Sequence, residues 1–282
     1  MANDNKGKNV WQILFIISMC ISVVALGFIG WYLYQDYAAQ KAAEELQEAV
    51  VVESVAEEEE TKDVEIDDGV EGEEADLPEN ILTELDNPID FATLQGINSE
   101  LYAWIRIEDT NIDYPIAQRE GDHEFYLHHD MYGTERYAGS IYTEDYNSKD
   151  FLNPVTVIYG HNMKNGSMFH DLRKYEDKTF FKEHPYVYIY TPDAVRKYEV
   201  FAAYTYDDRH LLTTYNFSDN AVYTQYLEDV QRGMTMSANL RDDIWVSGED
   251  RIITLSTCVG SGDTGQRFLV QAVLIEEQYS RQ

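Results

Sequence analysis

RIITLSTCVGSGDTGQRFLVQAVLI, residues 251–275, holds two runs rich in β-branched and apolar residues, Arg251–Cys258 and Arg267–Ile275, joined by the glycine-rich turn Val259–Gln266. This pattern predicts two strands linked by an irregular loop. Cys258 closes the first strand and Arg267 opens the second. Alternation puts Cys258 on the face of Ser256 and Thr254, with Leu255 and Ile253 on the other. If the two strands are neighbours, a thiol and a guanidinium meet at one end of the sheet, and a nucleophile beside a fixed positive charge suits acyl transfer. The competing reading is a buried structural cysteine and a surface arginine, the commoner fate of an arbitrary cysteine.

Upstream of this pair the same strand-like pattern recurs, separated by turn signals, at Ala103–Glu108, Ile112–Gln118, Gly139–Thr143, Val155–Tyr159, Tyr186–Thr191 and Lys197–Tyr206. Eight strands in a segment of this length predict a mainly β fold, a closed or nearly closed eight-stranded barrel. Short peripheral helices are expected at Pro88–Asn98, Asp122–His128, Ser167–Tyr175 and Lys178–His184. A longer one is expected at Ser218–Arg232, capped by Ser218, with Val222, Tyr226 and Val230 on one face. Residues 87–282 thus read as one globular unit, large enough for a single core.

The N-terminal third is built differently. After the polar tail 1–9, Val10 to Gln35 carries no charged residue, and positions 10–34 would span roughly 37 Å as a helix, enough to cross a bilayer. A cleaved signal peptide is the rival, but its apolar core would run only about 7–15 residues before a small-x-small site. The run here is longer and no Ala-x-Ala follows it. Trp11 at one end and Trp31, Tyr32 and Tyr34 at the other sit where interfacial aromatics belong, and Lys6 and Lys8 place the N-terminus in the cytoplasm. A single signal anchor in the lipid bilayer, with the body of the protein outside the cell, follows.

Residues 35–86 are rich in Ala, Glu and Asp. The first part favours continuation of the helix, and the rest is too polar to bury a core. Between Glu44 and Asp86 stand 19 acidic residues against one basic, Lys62, so most of the formal net charge of −31 is concentrated there. Such a stretch reads as a spacer that self-repels and lifts the domain off an anionic surface. No basic face is visible, which argues against a nucleic-acid partner.

Only two cysteines occur, Cys20 inside the apolar run and Cys258, so the outer domain has a thiol with no internal disulfide partner. A free extracellular thiol is reactive unless buried or employed. As a nucleophile it needs a base, because a thiol of pKa about 8.5 is only a few per cent ionised at neutral pH. Seven histidines are available: His123, His128, His129, His161, His170, His184 and His210. Solvated or capping roles are the default for six. His161 follows the apolar strand Val155–Tyr159 through Gly160, where a chain leaving a sheet edge projects side chains over a barrel rim. His-x-x-x-His spacing is absent and no calcium loop is present, so neither metal nor cofactor is expected.

TLSTC at Thr254–Cys258, with Arg267 nine residues on, resembles the sortase active-site signature, and YGHNM at Tyr159–Met163 resembles its histidine segment. NIDYPIAQ, YLHHDMYG, GSIYTEDYN and SMFHDLRKY are similar to the class B branch of these Gram-positive enzymes, whose characteristic insertion matches the helix expected at Ser218–Arg232. The resemblance spans residues 87–282. It implies a β-barrel transpeptidase that cleaves a C-terminal sorting signal of a secreted surface protein or pilin after Thr. It further implies transfer of the acyl group to an amine of the peptidoglycan precursor or to a pilin lysine. Carried over, Cys258 is the nucleophile, His161 the acid/base and Arg267 the oxyanion-stabilising or substrate-orienting cation, with Thr257 helping to line the substrate groove. One departure stands out. Class B members often carry an acidic residue just after the cysteine, where this chain has Val259 and Gly260; Asp263, on the glycine-flanked loop, is the nearest carboxylate and is left out of the catalytic set. Two other functions compete: a hydrolytic cysteine protease using the same dyad, and a stalked adhesin or wall-binding module. An adhesin has no use for a free thiol, a rim histidine and a spaced arginine together.

Overall fold

The computed structural model describes residues 4–51, 87–233, 237–259 and 265–279. Most of the acidic stretch and the turn segment 260–264, Asp263 included, lie outside the described residues. The chain divides into two compact units, 1–48 and 49–282. The first is dominated by α1 (Asp4–Val50), which runs on past the apolar stretch into the acidic one, as its Ala, Glu, Gln and Leu content favours. Its segment Trp11–Tyr34, 24 residues with exposed side chains, is long and apolar enough to cross a membrane.

The second unit begins with a small tie. Val51 forms an antiparallel bridge to Ile89, and the Asp90 N–H donates to the Val50 carbonyl at 2.8 Å. Asp90 then caps α2 (Phe91–Ile97), its carboxylate accepting the Thr93 N–H at 3.0 Å. Val50 and Ile89 are both buried, and burying an aliphatic side chain contributes about 1.5–3 kcal/mol. A chain beginning at Asn87 is therefore expected to fold, but to melt about 5 °C below one beginning at Ala49. Calorimetry on the two would show the tie to be idle if their Tm values coincide.

The strands follow in chain order: β1 (Leu101–Arg106), β2 (Asp113–Ala117), β3 (Ile141–Thr143), β4 (Val155–Tyr159), β5 (Tyr186–Thr191), β6 (Ala194–Asp207), β7 (Asn239–Leu240), β8 (Ile252–Cys258) and β9 (Gln266–Tyr279). They are joined in the order β5-β1-β2-β3-β4-β8-β9-β6-β7, and β5 pairs back onto β6. Eight strands close the barrel, and β7, a two-residue strand on the flank of β6, stands outside the ring. The expected eight-stranded barrel is what the chain forms. Pairings β2–β3 and β4–β8 are parallel, the others antiparallel.

Alternation along β8 and β9 divides the core in two. Ile253, Leu255, Phe268, Val270 and Ala272 pack with Ala103, Ile105, Val187 and Ile189 inside the barrel. Ile252, Leu269 and Val273 join Val155, Val157 and Phe201 on the opposite face. That outer face is covered by α5 (Asn220–Gln231) through Tyr223, Tyr226, Leu227 and Val230, after the single turn α4 (Leu211–Thr214). Asp219 rather than Ser218 caps α5, accepting the Ala221 N–H at 3.0 Å. A carboxylate one residue closer to the helix also complements its positive end. The helix expected at Lys178–His184 forms over Lys178–Glu183, as α3. Those expected near 122 and 167 are 3-10 turns at Phe125–Leu127 and His170–Glu176. Such short segments, held by their flanks, settle for i→i+3 bonds.

Candidate active site

The register of three strands assembles the site. On β8 and β9 Cys258 pairs directly with Arg267, so thiol and guanidinium leave the same face. Strand β4 runs parallel to β8 with Tyr159 opposite Ser256, and the Gly160 N–H donates to the Ser256 carbonyl at 3.2 Å. Counting on from that register, His161 emerges level with Cys258. Gly160 is the hinge, because a Cβ there would lie 2.5 Å from Ile141 Cδ1 and 2.7 Å from the Phe169 ring. Cys258, His161 and Arg267 line one cavity of about 190 Å³, its floor formed by Ser256 and Leu269 and its flank by Tyr159.

Two bonds hold the histidine segment. The Leu127 carbonyl stands 2.9 Å from His161 Nε2. A carbonyl can only accept, so Nε2 carries the proton and Nδ1 is left as the basic nitrogen of the neutral ring. Asn162 Nδ2 donates to the Cys258 carbonyl at 3.1 Å, and its Oδ1 pairs with His170 Nδ1 at 2.9 Å, tying the histidine loop to the end of β8. Tyr137, largely exposed, stacks over the His161 ring with centroids 5.6 Å apart. Burial pushes the His161 pKa below the ordinary histidine value; the Leu127 bond opposes this, and the charges of His128 and Arg267 reinforce it. These effects favour the neutral ring.

The 34-residue reach of the Leu127 contact depends on Gly139. Its φ is +57°, and a Cβ there would lie 2.5 Å from the Leu127 oxygen. In Gly139→Ala that oxygen must shift, and its bond to His161 is disturbed. Turnover is expected to fall about tenfold, the worth of one orienting hydrogen bond. Stoichiometric alkylation of Cys258 should persist, and unchanged kcat in a folded variant would show that the carbonyl does not orient the ring.

Thr257 borders the cavity, but alternation turns its side chain toward the Leu255 face, opposite Phe268. It is 2% exposed, and its hydroxyl has no hydrogen-bond partner among the described residues. Ser256, two residues back on β8, shares Cys258's face and lines the cavity. Val259 continues past the strand, its N–H donating to the Gln266 carbonyl at 3.2 Å. Sequence reasoning assigned nothing to the opposite wall. There His210 Nε2 meets Glu144 Oε2 at 2.6 Å, and Tyr159 donates its hydroxyl to the same oxygen at 3.1 Å. Among the described residues no group of three or more His, Cys, Asp or Glu is arranged to hold a metal.

Comparison with known proteins bears on this arrangement. A family model described as the sortase domain matches residues 105–275. Sortase B of Listeria monocytogenes is 41% identical over 184 residues, covering 64% of this chain and 72% of that protein. The X-ray structure of Clostridium perfringens sortase B superposes with a TM-score of 0.59 at 32% identity, over 66% of this chain and all of that one. A sortase B structure complexed with triglycine gives a TM-score of 0.59 at 29% identity, over 66% of this chain and 85% of that one.

Proposed function

This chain belongs to the sortase family, with its class B members as relatives, and we propose that it is a membrane-anchored cysteine transpeptidase acting on C-terminal sorting signals outside the cell. The observation that carries the reading is the register: Cys258 opposite Arg267, with His161 level on the neighbouring parallel strand and all three on one cavity. Neutral His161 takes the Cys258 proton at Nδ1 as the thiolate attacks the carbonyl carbon of a Thr residue. A tetrahedral intermediate forms, its oxyanion facing Arg267, whose planar fork suits a developing negative oxygen. The imidazolium returns the proton to the leaving amine, the peptide bond breaks, and a thioester remains. An incoming primary amine, from a wall precursor or a pilin lysine, gives its proton to His161 and displaces Cys258. Thr257 supports the groove from beneath, beside the nucleophile.

The domain plan completes the proposal: a cytoplasmic tail at 1–9, an anchor at 10–34, an acidic stalk at 35–86 and the extracellular catalytic domain at 87–282. The apolar helix with its flanking lysines and aromatics supports the orientation. The test is to incubate the full chain in detergent with an internally quenched peptide library in which one Thr is fixed, with and without triglycine. Products extended by triglycine at Thr support transfer. Hydrolysis alone in both conditions points to a protease, and no cleavage of any member overturns the reading.

A further inference from the structure

One wall of the cavity is built from two segments far apart in the chain. One leaves β3 at Glu144; the other leaves β6 through Asp208 and Arg209 to His210 and α4. Glu144 is 6% exposed, yet its carboxylate has no part in the acyl-transfer steps. Its Oε2 accepts from the Tyr159 hydroxyl and meets His210 Nε2. In its neutral form the imidazole also caps α4, accepting the Thr213 N–H at Nδ1 at 3.3 Å. Beyond it Leu211 is buried in the outer core, and Tyr215 and Phe217 stack on each other and meet the Tyr226 ring of α5 tilted and edge-on. The segment from 208 to 217 is therefore fastened to the helix on one side by aromatic packing and to the barrel on the other by the bond to Glu144.

The register gives the location. Thr143 pairs with Ile158, and Val157 with Thr254, so Glu144 continues level with Thr254. Its carboxylate reaches back to Tyr159, level with Ser256, and β6 leaves the sheet with Tyr206 opposite Arg267, so the 208–217 segment departs at the nucleophile's own end and crosses the cavity to Glu144. We propose that Glu144 and His210 are positioning residues that clasp the 208–217 segment across the cavity, and so set its affinity for the acyl-donor peptide. The inference rests on the transpeptidase reading of the same cavity.

The groups around His210 agree with a clasp. Glu144 faces it from the end of β3 and holds its pKa above the ordinary value, opposed by burial, with Glu124 adding to the rise. Tyr146 meets its ring edge-on at 5.8 Å, and Tyr159 lies at 6.2 Å. Neighbouring Arg209 is turned to Asp207 in an exposed pair. As pH rises through the raised pKa the imidazolium is lost. The neutral Nε2–H still donates to Glu144, but without a positive charge on the donor. The clasp therefore loosens with rising pH rather than opening.

The test uses the full chain in detergent and the library peptide that the wild type cleaves best. His210→Ala is expected to raise KM about tenfold with kcat within about twofold, the loss of one charge-assisted bond at a group that touches no reacting atom. His210→Gln, which keeps a donor toward Glu144, should recover most of that KM. Glu144→Ala should match His210→Ala, and the double variant should be no worse than either single one, because both remove one interaction. In NMR, the His210 imidazole should titrate above the ordinary histidine value in the wild type and drop in Glu144→Gln. A fall in kcat at constant KM, additive single effects, or a titration unmoved by Glu144→Gln overturns the inference. A wild type that cleaves no library member overturns the transpeptidase reading instead.

Discussion

Cys258→Ala is expected to abolish turnover, while Cys20→Ala leaves it at the wild-type value. The two free thiols differ in everything that matters to acyl transfer. Cys20 lies in the middle of the apolar stretch of α1, where no peptide with a polar backbone has reason to go. Cys258 is half-buried at the end of β8, on the same cavity as His161 and opposite Arg267. Removing a covalent nucleophile eliminates the thioester, and comparable losses in other acyl-transfer enzymes are on the order of 10⁶-fold. The residual rate should be the uncatalysed one, because triglycine is a weak nucleophile toward an unactivated amide. A substrate-like thiol trap followed by peptide mapping gives the second readout: added mass on Cys258 alone. Label on Cys20, or cleavage by Cys258→Ala above background, would remove the nucleophile from the scheme.

Much of this was legible because strands announce themselves locally. All eight barrel strands carry their own alternation or apolar run. The prediction that a cysteine ending one strand meets an arginine opening the next needed only that β8 and β9 be neighbours. The sequence is silent where the contact partner has no side-chain signature or lies far along the chain. The carbonyl that fixes the His161 tautomer belongs to Leu127, and any residue supplies a carbonyl; only Gly139, with its positive φ against that oxygen, hinted at a close approach. Glu144 and His210 are 66 residues apart and meet because β4 pairs parallel to β8, a crossover that no local pattern encodes. In sequence His210 sits in a polar run after a strand, which reads as solvated. The two-residue β7 is too short for any periodicity. Val50 and Val51 fall in the part read as a continuation of the anchor helix, and nothing local marks two valines that tie to Ile89 and Asp90.

Arg267→Lys is expected to fail nearly as badly as Arg267→Ala, although both still bind peptide. The guanidinium lies opposite Cys258, and one of its donors is fixed on the Gln266 carbonyl at 3.2 Å, which sets the heading of the planar fork. Its charge is felt across the cavity, lowering the pKa of His161 and opposing the rise at Tyr142 and Tyr159. A lysine keeps that charge but is a compact ammonium on a flexible stem, without paired donors in one plane. If the oxyanion depends on those donors, their loss should lower turnover roughly 100- to 1,000-fold, about 2.7–4 kcal/mol. If Arg267 supplied only a field, lysine would restore most of the rate. Steady-state kinetics on both variants, each shown folded by circular dichroism, separate the two cases, and near-wild-type turnover in Arg267→Lys would leave a charge-only role. Arg251 is the control. It precedes β8, seven residues and about 23 Å from Cys258, and bonds Glu277 at 2.7 Å. Glu277 is also held by Arg196 at 2.6 Å, so Arg251→Ala leaves that carboxylate paired. Its turnover should stay within about twofold of wild type, because a cation at the other end of the barrel has no oxyanion to meet.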